Sequence, residues 1–268
     1  MKHLIVLLTV FMITLLGCAP AASTHSIDPK HPEAIGVGAT APEGAEIMFD
    51  GTEEMLHEKW RYWEEGPRFA AEPPIKWRIL EDPVDEGTVV SSLDPSAEGG
   101  LYGSADIVTK KEFRDFRLHV EFLIEEEGGN SGVYLQNRYE IQVVTNDGKH
   151  GMAAIINEHE APYELFNGVG AWNAYDIVFR APRFENDSTR VERALVTIYF
   201  NGEKVHENRE ITRVWGGLNS GINGDNDRFG NGITDTPGGL KLQAEGHSIL
   251  YRNIWMRDLE LDKPMTSF

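Results

Sequence analysis

Apolar and polar residues alternate with a period of two over several short segments of this chain. Between Phe116 and Phe122 the alternation is unbroken, which is typical of a β-strand with one buried face. Similar patterns predict strands at 131–136, 139–144, 174–180, 194–200, 204–206, 240–243 and 248–257. Tight connections are predicted at 137–138 and at Asn201-Gly202, since an Asn-Gly pair between such segments favours a hairpin.

Helical patterns are scarce by comparison, with one short turn predicted at 53–58. The chain has 27 glycines and 13 prolines to separate its strands, and 41% of its residues are hydrophobic, enough for a sizeable core. Many short strands with regular turn signals predict an all-β sandwich or jelly roll. We place this single domain at residues 45–264, a normal size for a β-sandwich.

The N-terminal region has the pattern of a lipoprotein signal. Lys2 precedes an apolar run at 4–16, which is too short to cross a bilayer as a helix. Leu15-Leu16-Gly17-Cys18 matches a bacterial lipobox, and Cys18 is the chain's only cysteine. We therefore expect a signal peptide at 1–17, an acylated Cys18 and a proline-containing flexible tether over 18–44.

Charge and the residue after the cysteine extend this interpretation. The formal net charge of −18 argues against nucleic-acid binding, because such a surface repels phosphate backbones. Ala19 is not the aspartate associated with retention in the inner membrane. The sequence therefore predicts an exported protein, attached to the bacterial outer membrane only by its N-terminal lipid.

Five motifs, in order along the chain, resemble the 3-keto-disaccharide hydrolase domain family over residues 46–260. They are Phe49-Asp50-Gly51-Thr52, residues 127–142, residues 172–184, Leu240-Lys241-Leu242-Gln243 and Tyr251-Arg252-Asn253-Ile254-Trp255. The resemblance implies a concanavalin A-like β-sandwich (jelly roll) of two curved antiparallel sheets with a concave sugar-binding face. It also implies cleavage of the glycosidic bond of 3-keto-glycosides, by removal of a proton next to the ketone and elimination.

The chain also departs from the family pattern. A histidine usually follows the Leu-Gln pair by two positions, but here that position is Glu245, and His247 comes two residues later. The segments 152–170 and 215–239 are atypical as well.

Strand periodicity selects the candidate site residues. In the segment 139–143, Ile141 and Val143 share one face, which leaves Glu140 and Gln142 on the other. If the apolar parity faces the core, the polar parity of the neighbouring strands completes one surface. From this surface, the catalytic candidates are Glu140 and His119, and the substrate-binding candidates are Tyr134, Gln136, Arg138, Gln142, Gln243 and Glu121. His247 is a further catalytic candidate, which the chemistry implied by the resemblance suggests. The competing interpretation is a solvated sheet face with cross-strand charge pairs.

The resemblance suggests roles for these groups. Glu140 would be the general base, or else a ligand of a divalent cation at the ketone. The amide and guanidinium groups would hold sugar oxygens, and His247 or His119 would donate a proton to the leaving oxygen. No cofactor is otherwise expected, the metal ligands stay unassigned, and 225–227 is either a calcium loop or a solvated one.

Other functions remain open at this point. A retaining glycosidase needs two carboxylates about 5–5.5 Å apart, and Gln142 stands where a second carboxylate would be expected. A non-catalytic carbohydrate-binding lipoprotein is the alternative, in which some of the 6 tryptophans would stack on sugar rings. A structural or adhesion role has no sequence feature in its favour.

Overall fold

The structure is a computed structural model, and it describes residues 35–63, 73–93, 105–145, 151–161, 163–185, 189–212, 233 and 235–266. Cys18, the predicted signal peptide and the 225–227 segment lie outside these residues.

All the strand pairs of the fold are antiparallel. In chain order the strands are β1 (Glu46–Phe49), β2 (Trp60–Tyr62), β3 (Arg78–Glu81), β4 (Thr88–Ser91), β5 (Ile107–Thr109), β6 (Asp115–Ile124), β7 (Asn130–Leu135), β8 (Tyr139–Val144), β9 (Trp172–Arg180), β10 (Arg183–Phe184), β11 (Arg190–Glu192), β12 (Ala194–Phe200), β13 (Glu203–Ile211), β14 (Lys241–Leu242) and β15 (Ile249–Leu259). Helix α1 (Glu53–Lys59) follows β1, and a 3₁₀ turn spans Tyr163–Leu165.

Two sheets contain most of these strands. The large sheet has the order β13-β12-β9-β6-β15-β4-β3, with β1 also paired to β15. The small sheet has the order β2-β5-β14-β7-β8, while β10 and β11 form a separate pair. The described residues therefore form an all-β sandwich that matches the jelly-roll fold of glucanases, as the sequence predicts.

The core lies between the apolar faces of the two sheets. The large sheet contributes alternate residues such as Leu118 and Val120, and the small sheet contributes Val133 and Ile141, all fully buried. Ser131 of the small sheet contacts the Tyr251 hydroxyl of the large sheet at 2.6 Å, so this pair of buried polar groups is satisfied across the two sheets.

Most predicted strands are found within two residues of their expected limits, although β13 extends well beyond 204–206. The turn before β8 is centred on Gln136 and Asn137, whose φ angles are 52° and 56°, one residue earlier than predicted. Positive φ at both central residues is typical of a type I′ turn, and the pairing of Leu135 with Tyr139 leaves three residues between the two strands. Thr52, whose side chain accepts a hydrogen bond from the Met55 amide, caps α1.

Residues 35–39, which the sequence assigned to the tether, lie against the large sheet. The Gly36 amide donates to Asp176 and the Gly38 amide to Glu121, both at 2.7 Å, and Ala39 is buried. Residues 35–39 therefore belong to the folded domain and not to a flexible tether. In the described part of the chain, no helix combines the length and apolar character needed to cross a bilayer.

Candidate functional site

Strand register brings three functional side chains into one row across the small sheet. Lys241 in β14 is opposite Tyr134 in β7, and Tyr134 is opposite Glu140 in β8. Ile141 and Val143 enter the core, so Glu140 and Gln142 lie on the outward face, as the alternation predicts. Directly opposed side chains in neighbouring strands have Cβ atoms about 4.5–5.5 Å apart, which permits direct contact along the row.

The row is joined by hydrogen bonds and charge. The Tyr134 hydroxyl donates to Glu140 Oε2 at 2.7 Å and accepts from Gln243 Nε2 at 3.2 Å. The Lys241 ammonium lies 3.8 Å from the centre of the Tyr134 ring, a cation–π contact. It also pairs with Asp106 Oδ2 at 3.0 Å.

A glycine leaves space for the carboxyl group of Glu140. A Cβ at Gly132 would lie 2.5 Å from Glu140 Oε1 and 2.8 Å from Cε2 of Tyr134. Its backbone φ is not in the left-handed region, so the position requires glycine for space and not for conformation. Gly132 therefore shapes the site.

The side chains around Glu140 are all buried, with small differences in the exposure that remains. Glu140, Gln142 and Gln243 each keep 5% of their surface exposed, whereas Tyr134 keeps 1% and Lys241 none. A ligand on this face would first meet the carboxyl and the two amides. The Gln142 amide also donates to Asn130 Oδ1 at 3.1 Å, which fixes its orientation.

Burial dominates the electrostatics of Glu140. It raises the pKa of this carboxyl to about 8, and the charges of Glu245 and Asp106 act in the same direction. The Tyr134 hydrogen bond and the Lys241 charge oppose the rise. Burial also raises the pKa of Tyr134 well above its usual value, so its hydroxyl remains a donor. A carboxyl whose pKa lies near neutral pH suits proton transfer.

Gln136 and Arg138 do not belong to this outward row. Gln136 Nε2 donates to the backbone oxygens of Phe113 and Arg114, each at 3.0 Å. Arg138 Nη1 donates to Gln136 Oε1 at 2.9 Å and to Thr236 O at 2.8 Å. The alternation of side chains stops where the backbone turns, which is why these two residues do not lie on the outward face. Their hydrogen bonds stabilise the end of the β7–β8 hairpin.

The prediction that His119 and Glu121 share a surface with Glu140 is wrong. Both residues are in β6 of the large sheet, whereas Glu140 is in the small sheet. Each points away from the core, and the outward faces of two packed sheets lie on opposite sides of a sandwich. His119 therefore cannot donate a proton to a sugar bound at Glu140.

The His119 cluster is a closed network with its own electrostatics. His119 Nδ1 lies 2.8 Å from Asp176 Oδ1, and Nε2 lies 3.3 Å from Glu121 Oε1. The imidazole stacks on Trp255 with ring centres 5.2 Å apart. Burial acts to lower the pKa of His119, but the carboxylates of Asp176 and Glu121 outweigh it and raise this pKa to about 9. Burial acts to raise the pKa of Glu121, but the hydrogen bonds from His119, Asn253 and Arg252 outweigh burial and lower this pKa to about 2.

The imidazole of His247 is partly exposed and has Glu126 as its ionic neighbour, at 3.8 Å. Glu245, two residues earlier, is the residue that acts electrostatically on Glu140 and Tyr134. At the position where the family pattern has a histidine, this chain therefore brings a carboxylate towards Glu140.

Metal ligation has no supporting geometry among the described residues, where no group of three or more His, Cys, Asp or Glu side chains is arranged to hold an ion. Two clefts lined by described residues lie away from Glu140. One of about 510 Å³ surrounds His159 and Arg193, and one of about 730 Å³ surrounds Arg183 and Glu192.

Three residues that shape the site are missing from the sequence-based candidates. Parity places Lys241 on the polar side, but its partner Asp106 precedes β5, a three-residue strand that the sequence analysis does not predict. The β-branched residues Ile107, Val108 and Thr109 are the local signal that could have indicated it. Gly132 carries no polar group, so only the space it leaves reveals its role.

Comparison with known proteins identifies the family of the chain and solved structures with a similar fold. Residues 44–257 match the model of the 3-keto-alpha-glucoside-1,2-lyase-like domain. A provisionally assigned glycosyl hydrolase from Parabacteroides distasonis ATCC 8503 is 27% identical, with a TM-score of 0.62 over 83% of this chain and 86% of its own.

Two further structures from that organism, with the same provisional assignment, are more distant. One is 19% identical, with a TM-score of 0.49 over 78% of this chain and 98% of its own. The other is 21% identical, with a TM-score of 0.49 over 80% and 99% of the two chains. Among curated proteins, none matches the chain significantly.

Proposed function

Because the chain belongs to the 3-keto-alpha-glucoside-1,2-lyase-like domain family, we propose that it cleaves the glycosidic bond of 3-keto-glycosides, 3-keto-disaccharides among them, by elimination. Its carbohydrate-active character follows from the family and from the glycosyl-hydrolase-like fold. The single observation that carries the finer proposal is the Glu140 carboxyl, buried beside Tyr134 and with a pKa of about 8.

The first step is removal of a proton. A ketone at the third carbon acidifies the hydrogen on the second carbon, and the Glu140 carboxylate takes it. The electrons of the broken C–H bond form the enolate, whose oxygen carries the negative charge. A hydrogen-bond donor near that oxygen lowers the barrier, and the Gln142 and Gln243 amides are the partly exposed donors beside Glu140.

The second step is expulsion of the leaving group. The enolate reforms the ketone, the bond between the first carbon and the glycosidic oxygen breaks, and a double bond joins the first and second carbons. The proton taken by Glu140 is then available to the leaving oxygen, so the step needs no second acid. Water added later across the double bond would complete a net hydrolysis.

The raised pKa of Glu140 suits this chemistry. A more basic carboxylate is a stronger base towards carbon, and a value near the working pH keeps a useful fraction ionised. Tyr134 stays protonated and holds Glu140 Oε2, so the carboxylate presents its other oxygen to the substrate.

The test is turnover. Purified protein incubated with a 3-keto-disaccharide should release free sugar, while the corresponding plain disaccharide should not react. Glu140→Gln should lose the activity. Glu54→Gln, the same change at an exposed position in α1, should keep it. Cleavage by Glu140→Gln at the unmutated rate would reject the assignment, and equal cleavage of the plain disaccharide would indicate an ordinary glycosidase.

Two further arms complete the design. A chelator during the reaction distinguishes Glu140 as base from Glu140 as ligand of a divalent cation, because only the latter needs the ion. Binding of sugar without any turnover would favour the non-catalytic alternative.

We also propose that the enzyme is a lipoprotein of the bacterial outer membrane. The lipobox that ends at Cys18 supports this. Labelling of expressing cells with a radioactive fatty acid should mark the wild-type chain and not Cys18→Ala; equal labelling of both would contradict the anchor.

A further inference from the structure

An ion pair is buried beside Glu140. Lys241 Nζ lies 3.0 Å from Asp106 Oδ2, and neither side chain has measurable exposure. The second oxygen, Asp106 Oδ1, accepts the Ala244 amide at 2.9 Å. Buried ion pairs are often no more stabilising than apolar residues of similar size, so fold stability alone explains this pair poorly.

The position of the pair connects it to the reacting group. Lys241, Tyr134 and Glu140 are consecutive members of one cross-strand row. The ammonium lies against the Tyr134 ring at 3.8 Å, and the hydroxyl of that ring binds Glu140 Oε2 at 2.7 Å. A fixed positive charge is thus held one side chain away from the carboxyl.

We propose that Lys241 and Asp106 are positioning residues of the Glu140 site: Asp106 holds the ammonium under the Tyr134 ring, and the ammonium stabilises the carboxylate that takes the proton. This inference rests on the proposed function in so far as Glu140 is the reacting group. Neither residue touches the substrate, since neither side chain has measurable exposure.

The charges around Glu140 determine the direction in which each of them shifts its pKa. Besides the Tyr134 hydroxyl, the groups that act on it are Lys241, Glu245 and Asp106. Lys241 lowers the pKa of Glu140, whereas Glu245 and Asp106 raise it. The two members of the ion pair therefore shift the pKa of Glu140 in opposite directions, as their opposite charges require.

For the proposed reaction, the ion pair helps to keep a fraction of Glu140 ionised. Burial alone pushes the pKa of Glu140 upwards, and a base that is almost always protonated at working pH is inactive. The Lys241 charge limits that rise, and Asp106 keeps the long, flexible lysine side chain in one place.

The experiment is a titration that needs no substrate. The carboxyl carbon of Glu140 is followed by NMR in protein labelled at glutamate, and its signal is assigned by its loss in Glu140→Gln. Lys241→Met should raise the pKa by about one unit or more, and Asp106→Asn should lower it. Lys59→Met, which breaks a pair with Glu46 elsewhere, should leave it unchanged.

Two more variants keep the proposal testable if Lys241→Met does not fold. Lys241→Met leaves the buried Asp106 carboxylate uncompensated and could unfold the chain, whereas the double variant Lys241→Met/Asp106→Asn buries no charge. It should raise the pKa of Glu140 by less than the single lysine change. Lys241→Arg keeps the charge and should restore a value close to the wild type.

The outcomes are distinguishable from those of the activity assay. An unchanged or lowered pKa in the lysine variants overturns the inference, even if the enzyme cleaves 3-keto-glycosides. Opposite shifts in the two single variants support it even if another substrate is found. With a working substrate, the midpoint of the pH–rate profile should move in the same directions.

Discussion

Raising the pH is expected to accelerate the proposed reaction, and the size of the effect follows from Glu140. Its pKa is raised to about 8 by burial, against the Tyr134 hydrogen bond and the Lys241 charge. The base must be ionised to take a proton, so kcat/KM should follow the ionised fraction of Glu140 in the free enzyme.

The magnitude comes from that fraction alone. A carboxyl with a pKa of about 8 is roughly one-tenth ionised near pH 7 and roughly nine-tenths ionised near pH 9. The specific activity at low substrate should therefore rise about tenfold over this interval and level off above it. An unperturbed glutamate would be ionised throughout and would give a flat profile.

The assay is initial-rate release of sugar at substrate concentrations below KM, in buffers of constant ionic strength. Rates without enzyme are subtracted at each pH, because base promotes the same elimination in free 3-keto-sugars. Glu54→Gln serves as the matched control and should reproduce the wild-type midpoint. A flat profile would refute the raised pKa, and a rate that falls through pH 8 would show that Glu140 acts as an acid.

Three further predictions test the two polar clusters. Gly132→Ala places a methyl group 2.5 Å from Glu140 Oε1, and a displacement of about 1 Å is expected to lower kcat about 100-fold, as measured by saturation kinetics beside the exposed control Glu54→Gln. Glu140→Gln should raise the melting temperature near pH 9 but not near pH 5. The pKa of this carboxyl is raised to about 8 in the folded protein, so the stability of the folded state falls as the pH rises from the pKa of the unfolded chain towards about 8. Equal shifts in melting temperature at pH 5 and pH 9 would contradict this. The pKa of His119 is raised to about 9 in the folded protein, so the stabilisation that its charge provides is complete below the unfolded pKa and is lost as the pH rises through about 9. His119→Gln should therefore lower the free energy of unfolding in urea more at pH 6 than at pH 10. A loss that does not depend on pH would count against the charged imidazole.

Alternation along the chain was sufficient to predict which side chains leave the core. The segment 139–143 shows this best, since Ile141 and Val143 are in the core and Glu140 and Gln142 face outwards. The reason is local: successive side chains of a strand point to opposite faces whatever the strand pairs with.

Alternation could not predict which of the two outward faces a residue joins. That depends on strand pairing, and β6 pairs with β9 and β15, which are distant in sequence. His119 is therefore outward, as predicted, but on the wrong sheet for catalysis. The family resemblance did not correct this, because its motifs include residues from both sheets.

Local rules also fail at turns and in very short strands. Gln136 continues the parity of Tyr134 in sequence, but its positive φ turns its side chain to the hairpin end. Asp106 precedes a strand of three residues, too few to show a period. Both departures are consequences of tertiary pairing, which fixes where a strand ends.

The two polar clusters of the sandwich have similar compositions but different surroundings, and this difference identifies the site. The carboxylates of Glu121 and Asp176 receive the backbone amides of Gly38 and Gly36 in addition to His119. Each is covered by the chain itself, so their charges are matched and a ligand has no access.

Glu140 is surrounded differently. In the described part of the chain its carboxyl accepts one hydrogen bond, from Tyr134, and it keeps some exposure. A buried carboxyl with so few partners is costly to ionise, which is why its pKa rises where that of Glu121 falls. This cost falls on the outward face of the small sheet, where the proposed reaction needs a base strong enough to remove a proton from carbon.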